Sequence, residues 1–281
     1  MNAIEITNLT KIYPGFQLDH LNLTLPQGCI MGLIGENGAG KTTTIKLILD
    51  MIHKDSGTIQ VMGKDNLENT RLLKEDIGVV LDEAGFPECL NARQVNKIMK
   101  NTYRNWDAGV YENYMKKLSI PSEKPFKDFS RGMKMKLAIA VAMSHHPKLL
   151  ILDEATGGLD PVARSEVIDM FNEFTRDENH SVLMSSHIVS DLEKICDYIA
   201  FLHKGKLLLC EEKDVLMEEY GVLHCSCAQL QELAPSAIKG KRESAYGAEA
   251  IVRRDAVPSG WNLSPVNIED LFVFMIKELL V

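Results

Sequence analysis

At 281 residues, with 45% hydrophobic and 25% charged residues, the chain has the composition of a folded globular protein: one large domain, or a core domain with a small appendage. Lys and Arg number 31 against 39 Asp and Glu, and this net charge of −8 excludes the basic surface on which phosphate-backbone binders depend, so no nucleic-acid partner is expected. No basic start is followed by an apolar run, and no apolar window reaches the ~18 residues of a membrane span, so the expected chain stays in the cytoplasm and does not itself cross a membrane. The six cysteines lie mostly alone in apolar stretches, as reduced thiols do. Cys225 and Cys227 read as alternate residues of one strand, without the His or second cysteine pair of a zinc site.

Apolar and polar residues alternate through Ile4, Ile6 and Leu9 and again through Leu21, Leu23 and Leu25, which predicts an antiparallel hairpin layer. The run CIMGLI from Cys29 is apolar throughout, as in a strand buried on both faces, and leads through a glycine-rich turn to a helix over Lys41 to Ile52. GTIQVMG and IGVVL read as strands; Ala92 to Arg104 and Val110 to Leu118 read as polar-faced helices, followed by a linker marked by Pro121 and Pro125. Arg131 to His146 carries a strong helical pattern closed by Pro147, and then come the strand KLLILDE and a helix from Pro161 to Glu178. The strand SVLMSS, a helix through Leu192 and the strand YIAFL complete an alternating series that implies a mostly parallel α/β sheet covered by helices. Past Tyr220-Gly221 the pattern weakens into strand-like VLHCSC and AIVRRDA and a final amphipathic helix through Leu271, Phe272, Phe274 and Met275. The expected division is a main domain over 1–221, with a helical subdomain at about 88–146, and a small α+β accessory domain over 222–281.

Gly35-Glu36-Asn37-Gly38-Ala39-Gly40-Lys41-Thr42 fits G-x-x-x-x-G-K-[ST] between a predicted buried strand and a helix, the context of a phosphate-binding loop. Gly38 and Gly40 let backbone N–H groups close around phosphate oxygens, Lys41 supplies a point charge, and the Thr42 hydroxyl can ligate Mg²⁺. Asp153 and Glu154 end the apolar strand LLIL at the edge of a parallel sheet that faces the same crevice. There Asp153 can hold Mg²⁺ and Glu154 can polarise an attacking water.

With Phe129-Ser130-Arg131-Gly132-Met133 before the long helix, Glu154-Ala155-Thr156-Gly157-Gly158-Leu159-Asp160-Pro161 after the acidic pair, and Ser185-Ser186-His187 after the next strand, the chain resembles an ATP-binding-cassette transporter ATPase over residues 1 to about 215. The resemblance implies a P-loop NTPase fold with a mostly parallel core sheet, an antiparallel β subdomain and a helical subdomain. It implies an ATP site from Gly35 through Thr43, in which Glu154 and His187 serve hydrolysis. Ser130 and Gly132 would complete the site of a second ATPase subunit, and Asp160 would link the two sites. Tyr13 matches an aromatic that stacks on adenine, although an aromatic in a hairpin is also a packing residue. Ser130 is at once a good helix N-cap and a place for an anion.

Two positions depart from the family pattern. Arg131 replaces a signature glycine, and Asp82-Glu83 stands where a glutamine is usual. Asp82 then either joins Thr42 and Asp153 at Mg²⁺ or faces solvent with Glu83 beside Gly85 and Pro87; both readings stay open. These substitutions, and the ending Asn267-Ile268-Glu269-Asp270-Leu271-Phe272, look like those of Gram-positive ATPases that serve drug or antimicrobial-peptide export. The implied activity is ATP hydrolysis at the cytoplasmic face of the cell membrane, driving a separate permease from a homo- or heterodimer of ATPase subunits. A regulatory or sensing ATPase with low intrinsic hydrolysis is the alternative.

Overall fold

The computed structural model describes every residue except 69, 83–84, 245–246 and 279–281, so Glu83 lies outside the described residues. Strands β1 (Asn2–Tyr13) and β2 (Phe16–Pro26) form the expected hairpin, and its alternation buries Ile4, Ile6, Leu9, Leu21, Leu23 and Leu25. Strand β3 (Ile30–Gly35) is buried at every position, and the glycine loop leads from it into helix α1 (Lys41–Ile48). That helix stops short of the expected Ile52. Asp50 takes a left-handed φ of 52° and the Met51 N–H returns to the Lys46 carbonyl, closing the last turn. Strands β4 (Ser56–Val61) and β5 (Lys64–Asp65) extend the hairpin to an antiparallel sheet of order β2-β1-β4-β5. Helix α2 (Thr70–Asp76) then precedes strand β6 (Ile77–Val80).

Helices α3 (Ala92–Thr102), α4 (Ala108–Lys117) and α5 (Arg131–Met143) are capped by Asn91, Asp107 and Ser130, each of whose side chains accepts from an orphan N–H of the first turn. Helix α5 ends before the expected His146. Ser144 Oγ bonds back to the Ala140 carbonyl, and His146 adopts a φ of 54° before Pro147. Strand β7 (Leu149–Asp153), helix α6 (Pro161–Phe174), strand β8 (Ser181–Ser185), helix α7 (Val189–Ile195) and strand β9 (Tyr198–His203) follow in the expected order. Helix α6 gives way before Glu178 to a turn in which Asp177 takes the N–H groups of Asn179 and His180. Strand β10 (Lys206–Glu212) was not anticipated. It runs antiparallel to β9 across Lys204 and Gly205, whose φ values of 45° and 78° make the tight turn that suits a twisted hairpin.

The central sheet has the order β10-β9-β3-β8-β7-β6 and is parallel except for β10. Alternation along its strands sends side chains to two cores. Met31, Leu33, Ile151, Leu183 and Leu202 face the antiparallel sheet and α1, whereas Ile34, Leu150, Leu152, Met184 and Phe201 pack among α5, α6 and α7. Helix α8 (Lys213–Glu219) leads to the final segment, which comprises β11 (Tyr220–Cys225), α9 (Cys227–Leu230), β12 (Ile238–Ser244), β13 (Gly247–Arg253), β14 (Leu263–Ser264) and α10 (Ile268–Glu278). Its sheet has the order β12-β13-β11-β14. Cys225 and Cys227 do not share a strand as expected. Strand β11 ends at Cys225, and Ser226 caps α9 through a reciprocal pair of bonds with Gln229. Helix α10 joins the main core, its Phe272 ring 5.1 Å from that of Phe201.

Candidate functional site

Strand β3 runs so close to β9 that a Cβ on Gly35 would lie 2.5 Å from the Leu202 carbonyl oxygen, so the chain leaves the sheet at a position only glycine fills. Gly40, at a φ of 111°, starts α1 without any side-chain cap. The first N–H groups of that helix are therefore left for a ligand, and their dipole favours an anion. Lys41 is 7% exposed, and its ammonium donates to the Gly35 carbonyl at 2.6 Å and lies 3.9 Å from Glu154 Oε1. A buried ammonium needs such partners, and these hold it across the loop.

The register of β7 against β8 sets Asp153 beside Ser185. Asp153 is 2% exposed, and both its oxygens are engaged: Oδ1 accepts from Ser185 Oγ at 2.5 Å and Oδ2 from Thr42 Oγ1 at 2.8 Å. Glu154 turns out of the strand with a φ of 54°, which costs a non-glycine residue about 1–2 kcal/mol. Its N–H is anchored by Ser185, and its side chain points back between Lys41 and His187. Glu154 Oε2 accepts from the His187 backbone N–H at 3.2 Å and lies 2.5 Å from Nδ1. An ionised carboxylate can only accept, so Nδ1 carries the proton. One oxygen of Glu154 is thus held by His187 while the other faces the ammonium.

A cavity of about 540 Å³ opens over these groups, lined by residues 36–43 of the loop and by Gly15, Phe16, Asp82 and Glu154. A second cavity of about 580 Å³ lies between Ile48 and Tyr103, among none of the expected site residues. Sequence reasoning missed Phe16. It pairs with Tyr13 across the turn of the first hairpin and lines the cavity, whereas Tyr13 does not; Tyr13 carries the Lys11 ammonium 5.3 Å from its ring centre. The hairpin alternation was the available signal, since it sets those two aromatics opposite each other. Ser185, read only as part of a motif, is the partner that fixes Asp153.

Ser130, Gly132 and Asp160 do not line this cavity. Ser130 Oγ accepts from Met133 N–H at 3.2 Å, and Asp160 caps α6 through the N–H groups of Ala163 and Val162. The bond from Ala163 is the main reason the Asp160 carboxyl titrates below its ordinary range. A Cβ on Gly132 would lie 3.0 Å from the Gly158 carbonyl oxygen, so the start of α5 rests on the loop that follows Glu154. Asp82 does line the cavity, and its Oδ1 accepts from Arg131 Nη2 at 2.6 Å; the two departures from the family pattern are partners.

A mostly parallel sheet, a glycine loop opening onto an uncapped helix, a buried lysine and a paired Asp-Glu strand end define a P-loop nucleoside triphosphatase. The ABC transporter family model matches residues 18–157. The bacitracin transport ATP-binding protein BcrA of Bacillus licheniformis is 39% identical over 73% of this chain and 68% of its own length, and the lantibiotic transport ATP-binding protein SrtF of Streptococcus pyogenes is 35% identical over 75% and 91%. The ABC transporter ATP-binding protein YtrB of Bacillus subtilis is 29% identical and covers 96% of the chain, final segment included. Among solved structures, an ATP-binding subunit of an ABC transporter superposes with a TM-score of 0.67 at 26% identity, over 76% of this chain and 91% of its own. The chain belongs to the ATP-binding subunits of ABC transporters, and its activity is ATP hydrolysis.

Proposed function

We propose that this subunit hydrolyses MgATP to drive a separate transmembrane permease that exports amphipathic or antimicrobial peptides. The observation that carries the ATPase step is the split use of the Glu154 carboxylate: Oε2 is held by His187 while Oε1 faces the Lys41 ammonium across the cavity. In this reading the uncapped start of α1 and Lys41 bind the polyphosphate, and Glu154 Oε1 accepts the proton of the attacking water. His187 holds the carboxylate in place. Thr42 Oγ1 and Asp153 Oδ2 are adjacent hard oxygen donors and suit Mg²⁺, which when bound would neutralise charge on the phosphates.

Export of peptides rests on the names of the bacitracin and lantibiotic transport relatives. Among the described residues no helix is long and apolar enough to cross a membrane, and membrane association through the permease rests on the names of the same transport relatives. A head-to-tail pair of ATPase subunits is supported by the placement of Ser130, Gly132 and Asp160 away from the cavity of their own chain. Residues 222–281 are proposed as an accessory unit, since their sheet has a small core of its own around Leu223, Leu230 and Ala250. Steady-state ATPase assays of the subunit reconstituted with its permease test the reading. Turnover should rise on adding the permease and rise again with a peptide antibiotic such as bacitracin; a rate indifferent to both would overturn the transport assignment.

A further inference from the structure

Among the described residues, the cavity lining holds three carboxylates, Glu36, Asp82 and Glu154, against one ammonium, Lys41. Lys41 lies beside Glu154, and Glu36 Oε2 lies 3.2 Å from Nδ1 of the buried His203. Asp82 is answered from elsewhere in the chain, by Arg131 at the start of α5. The arginine stem reaches it by crossing the loop after Glu154. A Cβ on Gly158, itself at a φ of 75°, would lie 3.0 Å from Arg131 Cδ, so this glycine leaves the lane in which the side chain runs.

We infer that Arg131 acts within its own chain as a positioning residue for nucleotide, by neutralising the Asp82 carboxylate at the edge of the ATP cavity. An uncompensated carboxylate there repels the polyphosphate, whereas a paired one does not. Arg131 is 63% exposed and Asp82 47%, so the pair adds little to folding. Its consequence is the potential of the cavity that Asp82 lines. The pair also ties the loop after β6 to the start of α5, so the two departures from the family pattern compensate each other.

The inference rests on the cavity being the ATP site, and the test separates the two claims. Binding of a fluorescent ATP analogue is titrated in EDTA at low salt on the full chain, for the wild type, Arg131→Ala, Asp82→Asn and the double variant. Arg131→Ala should weaken binding about fivefold. Adding Asp82→Asn should restore it to within twofold of wild type, a rescue that a merely structural arginine would not show. Raising the salt to 0.5 M should shrink the difference between wild type and Arg131→Ala. Arg131→Gln repeats the test should the alanine variant not fold. Unchanged binding by the arginine variants, or a double variant as weak as the single, overturns the inference; the latter is also expected if Arg131 serves a partner's nucleotide. A wild type that does not bind ATP even with Mg²⁺ overturns the ATP-site reading instead.

Discussion

Two regions at the same end of the core sheet are built in opposite ways. Around the glycine loop the polar groups answer one another within the chain: Asp153 between Thr42 and Ser185, Lys41 under the Gly35 carbonyl, Glu154 beside His187. Around the starts of α5 and α6, the exposed Ser130 and Asp160 accept hydrogen bonds from the first turns of their own helices. The first region is a cavity with its charges in place; the second is a surface on which Ser130 and Asp160 stand exposed at the starts of their helices. Pre-organised groups act on a ligand without rearranging, which is what a chemical step requires. Exposed helix starts can receive an anion brought by another body. The contrast teaches that the chain pre-organises the groups around its glycine loop and leaves the starts of α5 and α6 exposed.

The sharpest way to break this contrast is to disable the pre-organised side. Glu154→Gln keeps the shape of the side chain and its distance from Lys41 but removes the proton acceptor, so turnover should fall by about 10²–10⁴-fold. MgATP binding should persist, and closed dimers should accumulate on size-exclusion chromatography. A variant that stays monomeric and turns over at the wild-type rate would remove Glu154 from the reaction.

How much of each region was legible follows from what its residues answer to. The phosphate loop and the Asp-Glu strand end could be read because fixed spacings, bounded by apolar runs, specify them. The ends of α1 and α5 could not, because they are set by Asp50 and His146 in left-handed conformations, and that of α6 gives way to a turn closed on Asp177; apolar periodicity records none of these. Strand β10 escaped notice because its turn is Lys204-Gly205, not the Asn-Gly or Asp-Gly of an obvious hairpin. The contact between Asp82 and Arg131 joins segments far apart in the chain, and each looked like an isolated departure until the fold placed them 2.6 Å apart.

A smaller effect sharpens the comparison at the rim of the cavity. Phe16 lines it and Tyr13 does not, so Phe16→Ala should weaken ATP binding about fivefold, while Tyr13→Ala should change it less than twofold in the isolated subunit. Isothermal titration with ATP reads both. The reverse order would return the stacking role to Tyr13, which would then have to swing over the nucleotide from its place beside Lys11.

The smallest effect, about a factor of two, bears most directly on why the second region is left open. If Ser130 serves the nucleotide held by the loop of the other subunit, a dimer carrying Lys41→Ala on one chain and Ser130→Ala on the other concentrates both defects in one site and leaves the second intact. It should keep about half of the wild-type turnover, provided one intact site turns over alone. A dimer with both changes on the same chain damages both sites and should keep far less. If Ser130 instead serves its own chain's nucleotide, the order reverses: the split arrangement damages both sites and the same-chain arrangement spares one. Loss of the Ser130 cap should destabilise the protein by about 1 kcal/mol, leaving each dimer folded for the comparison. Differently tagged subunits purified in sequence would fix the composition of each dimer, and the order of the two rates then shows whether the open helix starts serve their own chain or its partner.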